Sequence, residues 1–460
     1  MTYLKFINRE NELKEFYRLR LLSRKKLFAV ALYGLRRIGK TRLLLEFLRG
    51  KGIYFFVNKN KTSKDLLTEY QHILRRKGVL KELEAVSSWD EFFKVLIVRN
   101  SLPVVFDEFQ NFGFVEPAVF GVLQKNIDLN ENKPGLLVFS GSLIGLMKNL
   151  FNDSKEPLYG RIKKGIKLEA LSLNSSIGLR KELKLAKEDI IKLYCVFGGY
   201  PKYFVAVEDF GLQEKKAEEI LDFLLFSKNA PLEDEVNSIL SQEFGGRSSI
   251  YYSILKAIAN GNNTISTIAS ALSTTPTSIT RQIKELKDYF ELIELEFPFE
   301  GKRGVYKIRH PLIQFWFSEI YKDYSDYVSR KPEFMDKLKK NLNTFYGAAF
   351  EGIARDFLIQ KLELKEAMRQ WGKIQGAEKG KNTYEIDLIA KNSKQFFVFE
   401  FKWKKLSEKS ALKVLKEVEI KANYLQKKLL NQKFGLVAKK IEGKQKLRNK
   451  GFLVFDLNDF

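Results

Sequence analysis

Gly34-Leu35-Arg36-Arg37-Ile38-Gly39-Lys40-Thr41 is the stretch whose reading decides the fold of the first part of this chain. It matches G-x-x-x-x-G-K-[ST], a loop whose backbone N–H groups wrap the phosphates of a nucleotide. An apolar run, Leu27 to Tyr33, leads in as a buried strand would. Thr41 to Leu48 leads out, with Leu43, Leu44, Phe47 and Leu48 at helical spacing. Strand, glycine loop and helix are the parts such a cradle needs, because the helix N-terminus adds its partial positive charge. Gly34, Arg36, Arg37, Ile38, Gly39, Lys40, Thr41 and Arg42 are the predicted nucleotide contacts, with Lys40 reaching the β- and γ-phosphates.

A nucleotide carried with Mg2+ also needs an acid at the end of a neighbouring strand. Pro103-Val104-Val105-Phe106-Asp107-Glu108 supplies one. Asp107 is expected to share the magnesium shell with the Thr41 hydroxyl, and Glu108 to polarise a water for attack on the γ-phosphate. Leu136–Ser140, followed by Gly141-Ser142, offers a further strand whose terminal hydroxyl is placed to sense that phosphate. ATP and Mg2+ are thus the expected cofactors, and hydrolysis the expected reaction.

The chain has 460 residues, 45% hydrophobic and 13% aromatic, enough for two to four packed domains and too apolar for disorder. No apolar run reaches the length of a membrane span, and MTYLKFINRE lacks a signal-peptide pattern, so a cytoplasmic protein is expected. Cys195 alone forms no internal disulfide, and with only His72 and His310 a Cys/His zinc site is excluded. The net charge of +24 points to a polyanionic partner, with DNA ahead of a membrane surface. Between Lys421 and Lys450 ten Lys or Arg face one acid, Glu442.

Strand-like runs at Leu27–Tyr33, Ile53–Val57, Pro103–Asp107, Leu136–Ser140 and Ile166–Leu171 alternate with helical patterns, predicting a covered parallel sheet over residues 1–171. Residues 172–245 turn helical and charged, as a lid would, with Glu188–Val196 and Lys215–Phe226 amphipathic. Residues 246–312 read as three helices (Ser249–Ala259, Thr264–Leu272, Ser278–Asp288) and a hairpin (Leu292–Glu296, Val305–Ile308), the order of a winged helix-turn-helix. Arg281, Lys284 and Lys287, with Lys302 and Arg303 on the wing, are its candidate phosphate contacts, although such modules also serve purely for packing. A helical connection, 313–340, leads to a last α/β unit, 341–460.

The first 310 residues resemble the archaeal ATPases of the STAND branch of AAA-type P-loop proteins. The marks are Phe6-Ile7-Asn8-Arg9-Glu10-Asn11-Glu12-Leu13, GLRRIGKT, VVFDE, LLVFSGS, Leu158-Tyr159-Gly160-Arg161 and Gly198-Gly199-Tyr200-Pro201. The resemblance implies that Phe6, Arg9 and Pro201 border the base. It also implies that Arg161 approaches the phosphates from a neighbouring subunit, which would make the protein a homo-oligomer. Taken alone, Arg161 reads equally as a structural ion pair.

Near the C-terminus, Tyr384-Glu385-Ile386-Asp387-Leu388-Ile389-Ala390 and Gln395-Phe396-Phe397-Val398-Phe399-Glu400-Phe401-Lys402-Trp403 predict two paired strands joined by the polar turn 391–394. Period-two geometry puts Glu400 and Lys402 on one face, where Asp387 can join them. Gly347-Ala348-Ala349-Phe350-Glu351 is expected to open a helix and bring a third carboxylate. Two acids holding Mg2+ or Mn2+, with a lysine steadying charge, suit phosphodiester cleavage. This set resembles the PD-(D/E)XK nuclease superfamily, implying a restriction-endonuclease-like fold, with Ile386 where Pro is usual. His310, in Arg309-His310-Pro311, replaces the Asp usual in the domain fused to such ATPases. Lys413 and Lys421 are further DNA-contact candidates.

The expected function is therefore a Mg2+-dependent ATP hydrolase acting on double-stranded, branched or single-stranded DNA, with a nuclease-like domain that binds or cuts it. The second reading is a signalling switch with slow ATP turnover and a catalytically silent C-terminal binding domain.

Overall fold

Five strands, β1 (Leu27–Tyr33), β2 (Ile53–Phe56), β3 (Val104–Asp107), β4 (Gly135–Gly141) and β5 (Lys164–Lys167), form a parallel sheet in the order β2-β3-β4-β1-β5. The structure is a computed structural model that describes residues 6–245, 248–374, 376, 378, 382–393, 395–427, 429 and 431–460. Lys394 of the predicted turn and Lys428 of the basic tract lie outside the described residues. The chain divides into two units. The first comprises Met1–Leu171, Tyr200–Val205 and Asp288–Glu291; the second comprises Ser172–Gly199, Ala206–Lys287 and Leu292–Phe460.

In the first unit, β3 is buried throughout and β1 and β4 nearly so. That is why they read as unbroken apolar runs instead of alternating ones. Alternate residues feed two cores. Ala29, Ala31, Phe106 and Phe139 join an aromatic-rich cluster with Phe55, Tyr70, Phe92 and Phe109. Val30, Leu32, Val105 and Val138 join the opposite cluster with Phe16, Leu43 and Phe47.

The predicted strand Ile166–Leu171 ends early. After Lys167 the Leu168 N–H still donates to the Tyr33 carbonyl at 2.8 Å, and the chain then turns across the glycine loop. Leu168 and Leu171 are apolar because they are buried there, not because they extend the sheet.

The second unit begins with helices Leu173–Gly178, Lys187–Phe197, Ala217–Leu221 and Glu235–Phe244. Three more follow, Ser248–Ala259, Ile265–Ala271 and Pro276–Lys284. Thr264 caps the middle one through the Thr267 N–H, and Pro276 opens the third at a position where its missing N–H costs no helical hydrogen bond. An antiparallel ribbon, β6 (Ile293–Glu296) and β7 (Val305–Ile308), comes next.

One 30-residue helix, Pro332–Lys361, then runs straight through Gly347. The expected helix start at Gly347 is therefore corrected to Pro332. A single glycine costs about 1 kcal/mol in a helix interior, which the buried stripe Phe345, Phe350, Phe357 and Leu358 offsets.

The last sheet has the order β12-β11-β10-β9-β8, built from β8 (Glu366–Lys373), β9 (Thr383–Lys391), β10 (Phe396–Leu406), β11 (Gln432–Ile441) and β12 (Leu453–Asp456). β8, β9 and β10 pair antiparallel, and β10, β11 and β12 parallel, with helix Glu408–Ala422 as the crossover. Among the described residues, no helix is long and apolar enough to cross a membrane.

His310 is 2% exposed, and burial pushes its pKa down to about 3. The folded chain keeps the ring neutral where the unfolded chain would protonate it, so this contribution is intact above the ordinary pKa near 6.5 and is lost as pH falls toward 3. Between pH 7 and pH 5 the loss is expected to be about 2 kcal/mol. Urea midpoints of the parent and His310→Gln across that range check this: the variant should show the flatter profile, and equal slopes would refute it.

Candidate nucleotide and acid–lysine sites

The glycine loop connects β1 to helix Lys40–Leu48, and its backbone is built for close approach. Gly39 sits at φ 93° as the helix N-cap, and Arg37 is also left-handed at φ 67°. A Cβ on Gly34 would meet the Leu168 carbonyl oxygen at 2.5 Å, so only glycine lets the chain beyond β5 cross there. No side chain caps the helix, which leaves its first N–H groups for an anion. The Lys40 ammonium rests on the Gly34 and Leu35 carbonyls at 2.8 and 3.1 Å.

Thr41 Oγ1 donates to Asp107 Oδ2 at 2.6 Å. Tyr54 Oη donates to the same oxygen at 2.9 Å, and the Glu108 N–H donates to Oδ1 at 3.1 Å. Burial and the adjacent Asp107 push the Tyr54 phenol up, so it remains a donor. Glu108 is left-handed at φ 53°, and its carboxylate accepts from Gln110 Nε2 at 2.6 Å and Ser142 Oγ at 2.8 Å. The loop N–H groups, Lys40, and the Thr41–Asp107 pair therefore fit a triphosphate with a hard divalent ion; Mg2+ takes few protein oxygens and keeps several waters.

Arg9 donates to the Ile38 carbonyl at 3.2 Å and the Glu169 carbonyl at 2.8 Å, while pairing Glu12 at 2.9 Å. It thus ties the N-terminal helix to the loop. Phe6 packs on the cluster containing Ile38. Pro201 lies 3.8 Å from where a Gly39 Cβ would be. Arg36 is half-buried, whereas Arg37 and Arg42 are exposed. Arg161 pairs Asp128 through two nitrogens at 3.1 and 3.2 Å and donates to the Tyr159 carbonyl.

Sequence reasoning missed Tyr54 and Gln110. It also missed a clasp in the first unit, where Tyr289 covers Gly145 and Glu291 pairs Lys148 at 2.5 Å and Lys167 at 2.6 Å. Burial works to raise the Glu291 carboxyl, but both lysines hold it below its ordinary value.

In the second unit, Glu351, Asp387, Glu400 and Lys402 gather around one face of the last sheet. Opposite Gln370 and Met368, β9 carries one extra residue between Ile386 and Ile389, and both isoleucines enter the same core. This bulge leaves Asp387 on the face away from that core. Asp387 Oδ2 accepts from the Phe401 N–H at 2.7 Å. Burial, then Glu400 and Glu351, pushes its carboxyl up to about 7.

Glu400 accepts from Lys402 at 2.7 Å and from Lys421 at 3.0 and 2.9 Å. Burial favours a neutral Lys402, but Glu400, Asp387 and Glu351 hold its pKa above the ordinary value. Burial raises Glu351 as well, against the charge of Arg369, which bridges Glu351 at 3.4 Å and Glu385. Lys421 and Arg369 thus complete the cluster. By sequence Lys421 is a candidate DNA contact, and nothing in its spacing betrays its pairing with Glu400. Lys413, also read as a DNA contact, lies on the same helix Glu408–Ala422. Among the described residues, no group of three His, Cys, Asp or Glu side chains stands ready to hold a metal.

Comparison with known proteins bears on both sites. Residues 6–207 match a family model described as an ATPase domain predominantly from Archaea. Residues 316–414 match one described as archaea bacterial proteins of unknown function. An uncharacterized protein of Methanocaldococcus jannaschii is 28% identical over 467 residues, covering 99% of this chain and 100% of the relative. The Walker-type ATPase of Pyrococcus abyssi superposes with a TM-score of 0.54 at 20% identity, over 68% of this chain and 96% of that one. The ORC2 protein of Aeropyrum pernix, solved as ADPNP–ADP complexes, gives 0.50 at 16% identity, over 74% and 96%. The N-terminal unit is accordingly a parallel-sheet P-loop ATPase core, followed by a separate C-terminal α/β sheet domain.

Two variants separate binding from hydrolysis. Lys40→Ala should lose nucleotide affinity and turnover together. Glu108→Gln should retain nucleotide binding in a fluorescent-analogue titration yet hydrolyse about 10²- to 10⁴-fold more slowly. Parent-like turnover in Glu108→Gln would remove Glu108 from the chemistry.

Proposed function

We propose that this protein is a Mg2+-dependent ATP hydrolase that acts on DNA through a C-terminal PD-(D/E)XK-like domain. The observation that carries the proposal is the meeting of Glu351, Asp387, Glu400 and Lys402, brought from one helix and two strands onto one face. Asp387 and Glu400 would hold Mg2+ or Mn2+, which supplies Lewis-acid polarisation of a phosphodiester when bound. Lys402 steadies charge developing on the phosphate, and Glu351 positions the entering water.

At the nucleotide site, Lys40 leaves the loop carbonyls for the β- and γ-phosphates, and Thr41 with Asp107 holds the divalent ion. Glu108, released by Ser142 and Gln110, orients the attacking water. The adenine nucleotides in the Aeropyrum pernix complexes support ATP as the ligand. Phe6, Arg9 and Pro201 border the base in this reading, and Arg161 exchanges Asp128 for the phosphates of a neighbouring protomer. Residues 172–245 act as lid, 246–312 as winged helix-turn-helix, 313–340 as connection and 341–460 as the nuclease-like domain. The protein works in the cytoplasm.

One observation favours the second reading, a nucleotide switch with a catalytically silent binding domain. Two ammonium groups, Lys402 and Lys421, already satisfy the Glu400 carboxylate, and a metal has to displace at least one of them.

The deciding experiment measures ATP turnover with and without plasmid, branched and single-stranded DNA, alongside cleavage of each in Mg2+ and Mn2+. DNA should stimulate turnover, Lys40→Ala should abolish it, and Asp387→Ala or Lys402→Ala should abolish cleavage. Cleavage by those last two at the parent rate would dismiss the metal-site assignment. Turnover indifferent to every DNA form, with no cleavage, would establish the switch.

A further inference from the structure

A cavity of about 810 Å³ opens in the second unit between the β6–β7 turn and the strands β8 and β9. Lys302, Arg303, Trp371, Lys373, Thr383 and Glu385 line it. Its walls are fixed to each other. The Phe299 N–H donates to the Arg369 carbonyl at 2.8 Å and the Glu300 N–H to Gln370 Oε1 at 2.7 Å, so the turn is pinned along the edge strand β8. Glu296, at the end of β6, reinforces this by pairing Arg369 of β8 at 3.8 Å. The turn itself needs Gly301, whose φ is 116°.

The charges lining the cavity do not cancel locally. The Glu300 carboxylate is committed to the N–H groups of Gln426 and Lys427, at 2.9 and 2.7 Å. Glu385 is committed to Arg369. Among the described residues, Lys302, Arg303 and Lys373 have no ion-pair partner, so the lining sets three cations against two carboxylates, Glu300 and Glu385, the second of them already neutralised by Arg369. Among the lining residues stands Trp371, half-buried and, among the described residues, in no ring–ring contact although Tyr384 lines the same cavity. Cations flanking an unstacked indole suit alternating phosphates and flat heterocycles.

A duplex hides its base faces inside its own stack, so Trp371 can stack only on an unpaired base. Position fixes what that strand meets next. Trp371 pairs with Glu385 across β8 and β9. Asp387 lies two residues further along β9, about 7 Å away at ordinary strand rise.

We infer that this cleft holds an unpaired polynucleotide strand, stacks one of its bases on Trp371, and delivers the adjoining phosphate to the Asp387–Glu400–Lys402 cluster. The inference rests on the proposed action on DNA and specifies its substrate as single-stranded or flapped ends. Single-stranded RNA shares the chemistry, so both polymers belong in the test.

The test is fluorescence anisotropy on the full chain with labelled single-stranded DNA, single-stranded RNA of the same sequence, and blunt duplex, at two salt concentrations. Trp371→Ala should weaken single-strand binding roughly ten- to hundredfold, while duplex affinity stays unchanged and Trp371→Phe recovers most of the loss. Joint Lys302→Ala and Arg303→Ala should make single-strand binding less salt-dependent, lowering the slope of log K against log salt by about 1.4. Melting curves confirm that each variant folds.

Parent-like single-strand affinity in Trp371→Ala overturns the cleft and leaves the action on DNA standing. Absence of binding to any nucleic acid by the parent chain overturns both. Trp371-dependent binding to RNA alone keeps the cleft and removes the DNA reading.

Discussion

Thr41, on the helix that follows β1, and Asp107, at the end of β3, meet at 2.6 Å although β1 and β3 are not neighbours. The order β2-β3-β4-β1-β5 inserts β4 between the phosphate-loop strand and the acid-bearing strand. Each therefore ends at the same sheet edge, with a gap one strand wide between them. The end of β4 fills that gap with small groups. A Cβ on Gly141 would lie 2.3 Å from the Met147 sulfur and 2.4 Å from Gln110 Oε1. Ser142 then reaches Glu108. Strand order, not local sequence, makes these groups a site, consistent with the rule that parallel sheets bind ligands beyond their carboxyl ends.

Much of this was legible because local pattern carries it. β1 has the bounds that its apolar run predicts, β3 starts one residue later and β4 gains one residue at each end, since a strand buried on both faces must be apolar throughout. Features set by distant chain were not legible. Tyr54 looks like any aromatic strand residue, yet the neighbouring strand turns it into an Asp107 donor. Leu168 to Leu171 kept a strand-like composition while crossing the loop, because burial there demands the same residues. The β9 bulge at Asp387 left no mark, since β8 defines it. Gly347 looked like a boundary, but helix packing on both sides overrides one glycine.

The clasp around Glu291 shows what such distant pairing achieves. Residues Asp288–Glu291 belong to the first unit, while the chain on either side belongs to the second. Glu291 is left-handed at φ 51° and 6% exposed, sandwiched between Lys148 and Lys167. Removing one partner of a buried pair leaves an uncompensated charge, which makes the arrangement costly to break. Lys148 lies on helix Ile144–Asn152, which begins two residues after Ser142. The segment is thus anchored to the helix that follows Ser142, on the Glu108 side of the glycine loop.

Net charge alone would misplace the contact surface. The tract from Lys421 to Lys450 is strongly basic by sequence, yet among the described residues five lysines of its ten cations are paired with carboxylates in the fold. Lys421 serves Glu400, Lys439 pairs Glu188, Lys444 pairs Asp456 and Asp459, and Lys446 and Lys450 share Glu408. A cation so paired attracts a polyanion weakly, because its field is largely cancelled within a few ångströms. The attraction left over comes from cations whose acidic neighbours are committed elsewhere. Lys302, Arg303 and Lys373 are in that position because Glu300 caps two backbone N–H groups and Glu385 holds Arg369. One group of cations without ion-pair partners among the described residues therefore lies where the β6–β7 turn meets β8, one alternate residue from Asp387. A basic composition becomes a directed surface only through where the carboxylates are already engaged.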